Sequence, residues 1–299
     1  MTMAGTFEKL VLRDRLTSAM RDWFHARAYI EVTTPVWIAA PAPEPHIDCP
    51  QCGHGWLRAS PELQMKKLVG GGAERIFQIG PCFRAGERGR IHNPEFTMLE
   101  WYRRGASALD ILDEMRDLAR YAAAKSRGGL EVEYRGRKCD LGAEWRVIPV
   151  RDAYREFAGW DPLESFDQDR FDEDMALKVE PGLPKDVPCV LYGYPREAAS
   201  LSRLSTADPR VAERWELYVC GIELANAFGE LTDGAEQRRR FEAARAERRA
   251  IGEDDYPLDE DFLGMLERGE FPECGGIAVG IDRLAMLLAG ADAICEVMA

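Results

Sequence analysis

Residues 83–102 read FRAGERGRIHNPEFTMLEWY, and this stretch carries the strongest indication of the fold. A turn rich in glycine and arginine precedes an apolar and aromatic run that is typical of a strand. Side chains alternate between the two faces of a strand, so Met98, Glu100 and Tyr102 share one face. A carboxylate and a phenol would then lie in one pocket wall, although a half-exposed strand face explains the same pattern.

Residues 215–230, WELYVCGIELANAFGE, form the second informative stretch. Glu216, Glu223 and Glu230 are seven residues apart, which a helical heptad would also produce. Aromatic and β-branched flanks around a glycine favour a strand-turn-strand instead. A tight turn near Val219 and Cys220 would place Glu216 directly across from Glu223, and such like-charge pairs cost about 0.2–1 kcal/mol. A magnesium ion between the two carboxylates would turn this cost into binding, and it would also bridge the phosphates of ATP.

Residues 275–284, GGIAVGIDRL, combine a glycine-rich strand with the start of a helix. Glycines let the backbone approach a ligand closely, and Arg283 would lie in the first turn of that helix. On its own, Arg283 would be interpreted as a solvated surface arginine. Ser60-Pro61-Glu62 also pairs two polar side chains, but so short a motif equally fits the N-terminus of a helix.

The remaining pattern mixes strands and helices without a βαβ alternation, which predicts an α+β fold with an antiparallel sheet. No linker is long enough to divide the chain, so we expect one catalytic domain over residues 1–299. From Asp161 to Asp174 there are seven acidic residues and one basic residue, which predicts a solvated helical insertion at about residues 155–188. Helices are predicted at residues 7–27, 107–124 and 236–249, strands at 76–79, 95–102, 189–192 and 215–219, and a strand-to-helix passage at 275–288.

Charge and composition exclude several classes of protein. The formal net charge of −13 argues against broad binding to a phosphate backbone. No apolar run approaches the roughly 18 residues that a membrane span needs, and the start of the chain does not resemble a signal peptide. We therefore expect a cytoplasmic protein whose eight cysteines are reduced.

Cys49 and Cys52 have the spacing of half a zinc knuckle, but no second Cys-x-x-Cys follows. Structural zinc requires four ligands, and only His46 and His54 lie near this pair in the sequence. A zinc site at Cys49 and Cys52 and a cysteine-containing surface loop both remain open.

Taken together, these stretches resemble the catalytic domain of the class II aminoacyl-tRNA synthetases, an antiparallel sheet flanked by helices. Residues 84–102 resemble motif 2 of that family, and residues 276–283 resemble motif 3. Residues 12–35, which end in EVTTP, resemble motif 1, which forms the dimer interface in the family. The segments HNPEF at 92–96 and ELAN at 223–226 narrow the resemblance to the lysyl branch.

Lysyl-tRNA synthetases carry a β-barrel anticodon-binding domain before motif 1, whereas motif 1 begins here almost at the N-terminus. This arrangement resembles the bacterial elongation factor P lysyltransferases, which attach (R)-β-lysine to a lysine of elongation factor P. The resemblance implies a homodimer that activates β-lysine or lysine with ATP and Mg²⁺ as an acyl-adenylate. A lysine-specific enzyme that acts on tRNA without an anticodon domain remains an alternative, although the acidic charge disfavours tRNA. A non-catalytic lysine-binding paralogue is the other alternative.

The resemblance also implies a role for each matching residue. Arg84 and Arg283 would be catalytic, with Arg84 holding the substrate carboxylate and the α-phosphate. Asn93 and Phe96 would bind adenine, with Arg283 on its other face, and Glu216 and Glu223 would hold magnesium. The implied substrate pocket consists of Ser60, Glu62, Glu100, Tyr102, Glu230 and Ala278, and the implied ATP site adds Glu87, Glu223, Leu224 and Gly280.

At two positions the sequence differs from the motifs of related synthetases. Motif 2 usually reads Arg-any-Glu, but Gly86 occupies the glutamate position here and the carboxylate follows at Glu87. A shifted loop in which Glu87 contacts adenine is the resulting hypothesis. Ala278 stands where lysyl-tRNA synthetases have glycine and the elongation factor P enzymes have alanine. The alternative role for Ala278 is plain packing in the sheet.

Overall fold

The computed structural model describes residues 3–298, which form a mixture of strands and helices. The strands are β1 (Ile30–Glu31), β2 (Trp37–Ile38), β3 (Gln51–Cys52), β4 (Gly55–Leu57), β5 (Arg75–Phe83), β6 (Glu95–Arg104), β7 (Glu131–Tyr134), β8 (Arg137–Asp140), β9 (Arg146–Pro149), β10 (Cys189–Pro195), β11 (Val211–Val219), β12 (Ile222–Gly229) and β13 (Cys274–Gly280). The helices are α1 (Met3–His25), α2 (Glu62–Gly70), α3 (Ala108–Arg127), α4 (Val150–Phe157), α5 (Gln168–Asp174), α6 (Glu180–Gly182), α7 (Gly234–Ile251), α8 (Glu260–Glu267) and α9 (Ile281–Leu288). Within these described residues, no helix is long and apolar enough to cross a membrane.

One eight-stranded sheet organises the molecule, in the order β1-β5-β6-β13-β12-β11-β10-β9. All neighbouring strands are antiparallel except the two edge pairs, β1 with β5 and β9 with β10. The predicted α+β fold with an antiparallel sheet flanked by helices is therefore confirmed, as are the predicted strands and helices. Strands from near both ends of the chain share this sheet, and one catalytic domain over residues 1–299 stays a prediction.

Helices α1, α3 and α9 cover one face of the sheet and form the main core with it. On β6, Leu99 and Trp101 are fully buried in this core, so Met98, Glu100 and Tyr102, which alternate with them, point to the opposite face. Helix α3 begins with a side-chain cap: Ser107 Oγ accepts a hydrogen bond from Asp110 N at 3.1 Å. Helix packing on one face thus leaves the other face of β6 available for a pocket.

The acidic insertion is helical, as predicted, but it is not simply solvated. Phe171 is buried and stacks on Tyr154, with ring centroids 4.7 Å apart. Asp161 and Asp174 are buried too, and their charges are balanced by Arg151 Nε at 2.7 Å and Lys178 Nζ at 2.5 Å respectively. The prediction of a solvated face was wrong for these residues because the apolar side chains between the carboxylates pack against α4 and β10.

Candidate active site

A cavity of about 160 Å³ lies against the uncovered face of the sheet, over β6, β12 and β13. It brings together every residue that the sequence assigned to the substrate pocket and to ATP. These are Ser60, Glu62, Arg84, Glu87, Asn93, Phe96, Glu100, Tyr102, Glu223, Leu224, Glu230, Ala278, Gly280 and Arg283.

Strand β13 forms the floor of the cavity because Gly276 carries no side chain. A Cβ at this position would lie 2.3 Å from Glu230 Oε1 and 2.4 Å from Tyr102 Cε1, so only glycine admits both side chains. Ala278 is the next residue on the same face, and it pairs with Glu100 of β6. The methyl group of Ala278 therefore lines the cavity beside an acidic residue.

Carboxylates dominate one end of the cavity. Ser60 Oγ donates to Glu100 Oε1 at 2.5 Å and accepts from the backbone N of Glu62 at 2.9 Å. Tyr102 donates to the other oxygen of Glu100 at 3.1 Å. Burial, and then the charge of Glu62, raise the pKa of Glu100 to about 8. Ser60 and Glu62 thus both line the cavity, and Glu62 is the first residue of α2.

A buried lysine at the same end was missed in the sequence. Lys66 Nζ lies 2.5 Å from Glu62 Oε1 and 2.6 Å from Glu230 Oε2. Burial raises the pKa of Glu230 to about 7, although Lys66 opposes this shift. The only signal in the sequence is the spacing of four residues from Glu62 to Lys66, which exposed helices also show.

Arg84 lies at the opposite end of the cavity. Its guanidinium carbon is 5.2 Å from the centre of the Phe96 ring, and Nη1 is 3.5 Å from Glu87 Oε1. Nε of Arg84 is buried and has no hydrogen-bond partner within residues 3–298, which suits a residue that binds a ligand. Asn93 donates to the backbone carbonyl two residues ahead at 2.6 Å. The left-handed φ of 76° at Gly86 turns the chain so that Glu87 lines the cavity.

Arg283 is fixed by neighbouring elements rather than free in solvent. Nη1 donates to the carbonyl of Glu223 at 2.8 Å, and Nε donates to the carbonyl of Ile91 at 3.2 Å. Nη2 lies 2.7 Å from Nε2 of His92. Burial and then the charge of Arg283 lower the pKa of His92, so its imidazole is held neutral and can accept this hydrogen bond.

The turn between β11 and β12 differs from the sequence prediction. Cys220 and Gly221 both have positive φ, 53° and 77°, and form a two-residue hairpin loop. This turn is centred one residue further along the chain than predicted, so Glu223 pairs with Tyr218. The prediction that Glu216 lies directly across from Glu223 was therefore wrong, although burial and then the charge of Glu216 raise the pKa of Glu223.

Glu216 lines a neighbouring groove of about 950 Å³ that also contains Glu223. Arg214 donates to one of its oxygens at 2.5 Å, and Tyr194 and Tyr218 donate to the other at 2.5 and 2.7 Å. An oxygen of Glu180 of α6, which the sequence did not single out, lies 3.4 Å from the hydroxyl oxygen of Tyr218. Carboxylate oxygens beside a nucleotide pocket suit Mg²⁺, which binds one or two protein carboxylates together with phosphates. The donor set therefore fits the implied ion.

The two knuckle cysteines differ in environment. Cys49 is buried, which raises its pKa to about 11, whereas Cys52 is exposed. Zinc binds the thiolate, so the environment of Cys49 opposes metal binding. Among the described residues, no group of three or more His, Cys, Asp or Glu side chains could hold a metal ion. Zinc binding by Cys49 and Cys52 therefore stays a prediction, and no further ligands complete such a site among the described residues.

An antiparallel sheet whose open face joins an acidic pocket to two arginines defines the catalytic domain of a class II synthetase. A family model described as tRNA synthetases class II (D, K and N) matches residues 3–299, and the chain belongs to this family. The chain is also similar to the Elongation factor P--(R)-beta-lysine ligase of Proteus mirabilis (strain HI4320). The two sequences are 37% identical over an alignment 318 residues long, gaps included, and the alignment covers 99% of this chain and 95% of the relative.

Proposed function

We propose that the protein is an ATP-dependent ligase that activates (R)-β-lysine, or lysine, as an acyl-adenylate and transfers it to a lysine of elongation factor P. One observation carries the proposal: a single cavity has carboxylates at one end and Arg84 and Arg283 at the other. The acidic end suits an amino acid with two ammonium groups, and the arginines suit a carboxylate and phosphates.

In the first step, a carboxylate oxygen of the amino acid attacks the α-phosphorus of ATP and pyrophosphate leaves. Arg84 would bind both the substrate carboxylate and the α-phosphate, which lowers their mutual repulsion. Arg283 is held rigidly by Glu223 and Ile91, so it would meet the nucleotide without reorganisation. Most of the rate acceleration would come from this positioning and charge stabilisation.

Glu216 and Glu223 would hold Mg²⁺ next to the nucleotide. The ion would supply neutralisation of phosphate charge when bound. Arg214 and the two tyrosines that contact Glu216 would keep its carboxylate oriented.

In the second step, the neutral side-chain amine of the acceptor lysine attacks the carbonyl of the adenylate. An amide bond forms, AMP leaves, and the amine loses its proton. The neighbouring groove shares Glu223 with the cavity, and an extended acceptor segment would approach along it. Because the proposed acceptor is a translation factor, we expect the reaction to take place in the cytoplasm. We also expect the enzyme to be a homodimer, as the resemblance to motif 1 implies.

The proposal is tested by ATP–pyrophosphate exchange with (R)-β-lysine, (S)-β-lysine and α-lysine, followed by transfer from the labelled adenylate. We expect exchange with β-lysine and label on elongation factor P but not on its variant lacking the acceptor lysine. Exchange at background level with every lysine isomer would reject adenylation and favour a non-catalytic paralogue. Exchange with label transferred only to tRNA would favour the tRNA-directed alternative.

A further inference from the structure

Lys66 lies behind the acidic end of the cavity, where the side chain cannot serve as a surface charge. Lys66 is 1% exposed, and Glu230 is fully buried. The ammonium group lies within ion-pair distance of both Glu62 and Glu230, which belong to segments far apart in the sequence. An uncompensated carboxylate at this depth would protonate, so a buried counter-charge has a direct effect on its charge state.

The two oxygens of Glu230 face different surroundings. Oε2 lies within ion-pair distance of Lys66 Nζ, at 2.6 Å, whereas Oε1 lies over Gly276, and neither oxygen has a hydrogen-bond partner in residues 3–298. Buried carboxylate oxygens are normally hydrogen-bonded, so an unpartnered one in a cavity wall indicates a place for a ligand donor. An ammonium group is the donor that a carboxylate binds most strongly.

The acidic end of the cavity holds more carboxyl groups than ammonium groups. Three carboxyl groups, those of Glu62, Glu100 and Glu230, lie at this end with one ammonium group, that of Lys66, and burial raises the pKa of Glu100 to about 8. A diamino acid such as β-lysine brings two ammonium groups. We propose that Lys66 is a positioning residue that holds Glu230 and Glu62 ionised and oriented, so that the pocket matches a substrate with two ammonium groups. This inference rests on the proposed function.

The surrounding groups support this role for Lys66. Glu230 faces Glu62 of α2, Tyr102 of β6, Cys274 of β13 and Arg203. Glu100 and Glu44 lie near Glu62 and Lys66 and complete the charges of this end. Burial raises the pKa of Glu230 to about 7, and Lys66 is the main group that lowers it. Below that pKa Glu230 is protonated and cannot bind an ammonium group as a carboxylate. Amino-acid affinity should therefore increase as the pH rises through about 7, and removal of Lys66 should move this increase to higher pH.

The test compares Lys66→Gln, which keeps a polar side chain without the charge, with Lys66→Arg, which keeps the charge. Lys67→Met is the matched control, since Lys67 is the next residue and pairs with Asp259 outside the cavity. Pyrophosphate exchange gives KM for β-lysine, KM for ATP and kcat between pH 6 and pH 9. We expect Lys66→Gln to raise the amino-acid KM by about 10- to 100-fold at pH 7, with KM for ATP little changed, because one partner of a buried charge pair is lost.

Several outcomes separate the possibilities. A Lys66→Gln defect that shrinks toward pH 9, with Lys66→Arg closer to the wild type, supports the charge role. Equal defects in both variants at every pH, or an unchanged amino-acid KM in Lys66→Gln, overturn it. Wild-type protein without any exchange would instead reject the proposed function, independently of Lys66.

A measurement on the wild-type protein keeps the inference testable if Lys66→Gln does not fold. In protein labelled with ¹⁵Nζ-lysine, the Lys66 signal can be assigned from its loss in Lys66→Arg. It should shift when β-lysine is added without ATP, while the Lys67 signal stays in place. A Lys66 signal that does not move at saturating β-lysine overturns the proposal.

Discussion

At the scale of single residues, we expect Ala278 to be a position where this chain distinguishes β-lysine from α-lysine. Its methyl group lies on the cavity face of β13, opposite Glu100, rather than in the core. We expect Ala278→Gly to increase kcat/KM for α-lysine relative to β-lysine. One methyl group discriminates by only about 1–3 kcal/mol, so the ratio should change without reversing completely.

The control for this prediction is Ala227→Gly on the neighbouring strand. Ala227 is fully buried in the core and does not line the cavity, so its loss should lower stability and leave the substrate ratio unchanged. If the ratio in Ala278→Gly equals that of the wild type, Ala278 serves only in packing.

Glu87 carries the second prediction at this scale. Glu87 lines the cavity beside Arg84, so Glu87→Ala should raise KM for ATP more than KM for the amino acid. Loss of one hydrogen bond to a charged group corresponds to about 1.5–3 kcal/mol. Glu95→Ala, which removes an exposed carboxylate from the same hairpin, is the control. Normal ATP binding by Glu87→Ala would contradict the shifted-loop hypothesis.

Gly86 explains why the usual glutamate position cannot simply be restored. Its φ of 76° is in the left-handed region, where a side chain is strained even though the space around it is open. The backbone conformation at Gly86 therefore accounts for the carboxylate standing at position 87 and not at position 86.

Sequence reasoning found the residues with recognisable motifs and missed those defined only by contacts. Every predicted substrate and nucleotide residue lines one cavity, because strand periodicity and motif spacing fix their faces. Lys66 and Glu180 were missed because the groups that they face come from other segments of the chain. A lysine four residues after a glutamate looks the same whether its helix is buried or exposed.

At the scale of elements, the strands and long helices were predictable because apolar spacing and capping residues act locally. The β11–β12 register was not, since it depends on which two residues adopt positive φ. The acidic insertion was misjudged for a different reason. Its charge pattern is visible in the sequence, but the burial of Asp161 and Asp174 beside their basic partners, Arg151 on α4 and Lys178 one turn along, is not.

The insertion leads to a prediction about stability. Phe171→Ala should lower the free energy of unfolding by about 3–5 kcal/mol, the usual loss for a buried phenylalanine. Glu173→Ala, two residues along and exposed, should change it by less than about 0.5 kcal/mol. Urea unfolding of the three proteins, monitored by tryptophan fluorescence, measures both values. Similar midpoints for Phe171→Ala and the wild type would show that the insertion is a solvated appendage.

At the scale of the whole molecule, the net charge of −13 and the exposed apolar residues affect assembly differently. Like charge opposes non-specific association, so a dimer needs a localised apolar surface. Ile30 on β1, in the region that resembles motif 1, is 65% exposed, and Phe7 on α1, shortly before that region, is 67% exposed. β1 is also an edge strand of the sheet, with one side unpaired in the described chain.

We therefore expect Ile30→Glu to weaken the proposed homodimer, because a carboxylate placed in an apolar interface loses its hydration. Light scattering after size-exclusion chromatography should show a dimer for the wild type and a dissociation constant raised at least about tenfold, or 1.4 kcal/mol, for the variant. Leu177→Glu is the matched control, since Leu177 is 66% exposed but lies in the acidic insertion. A wild-type monomer would reject the dimer. A dimer unaffected by Ile30→Glu but dissociated by Leu177→Glu would move the interface to the insertion, because the same charge then acts only where the subunits meet.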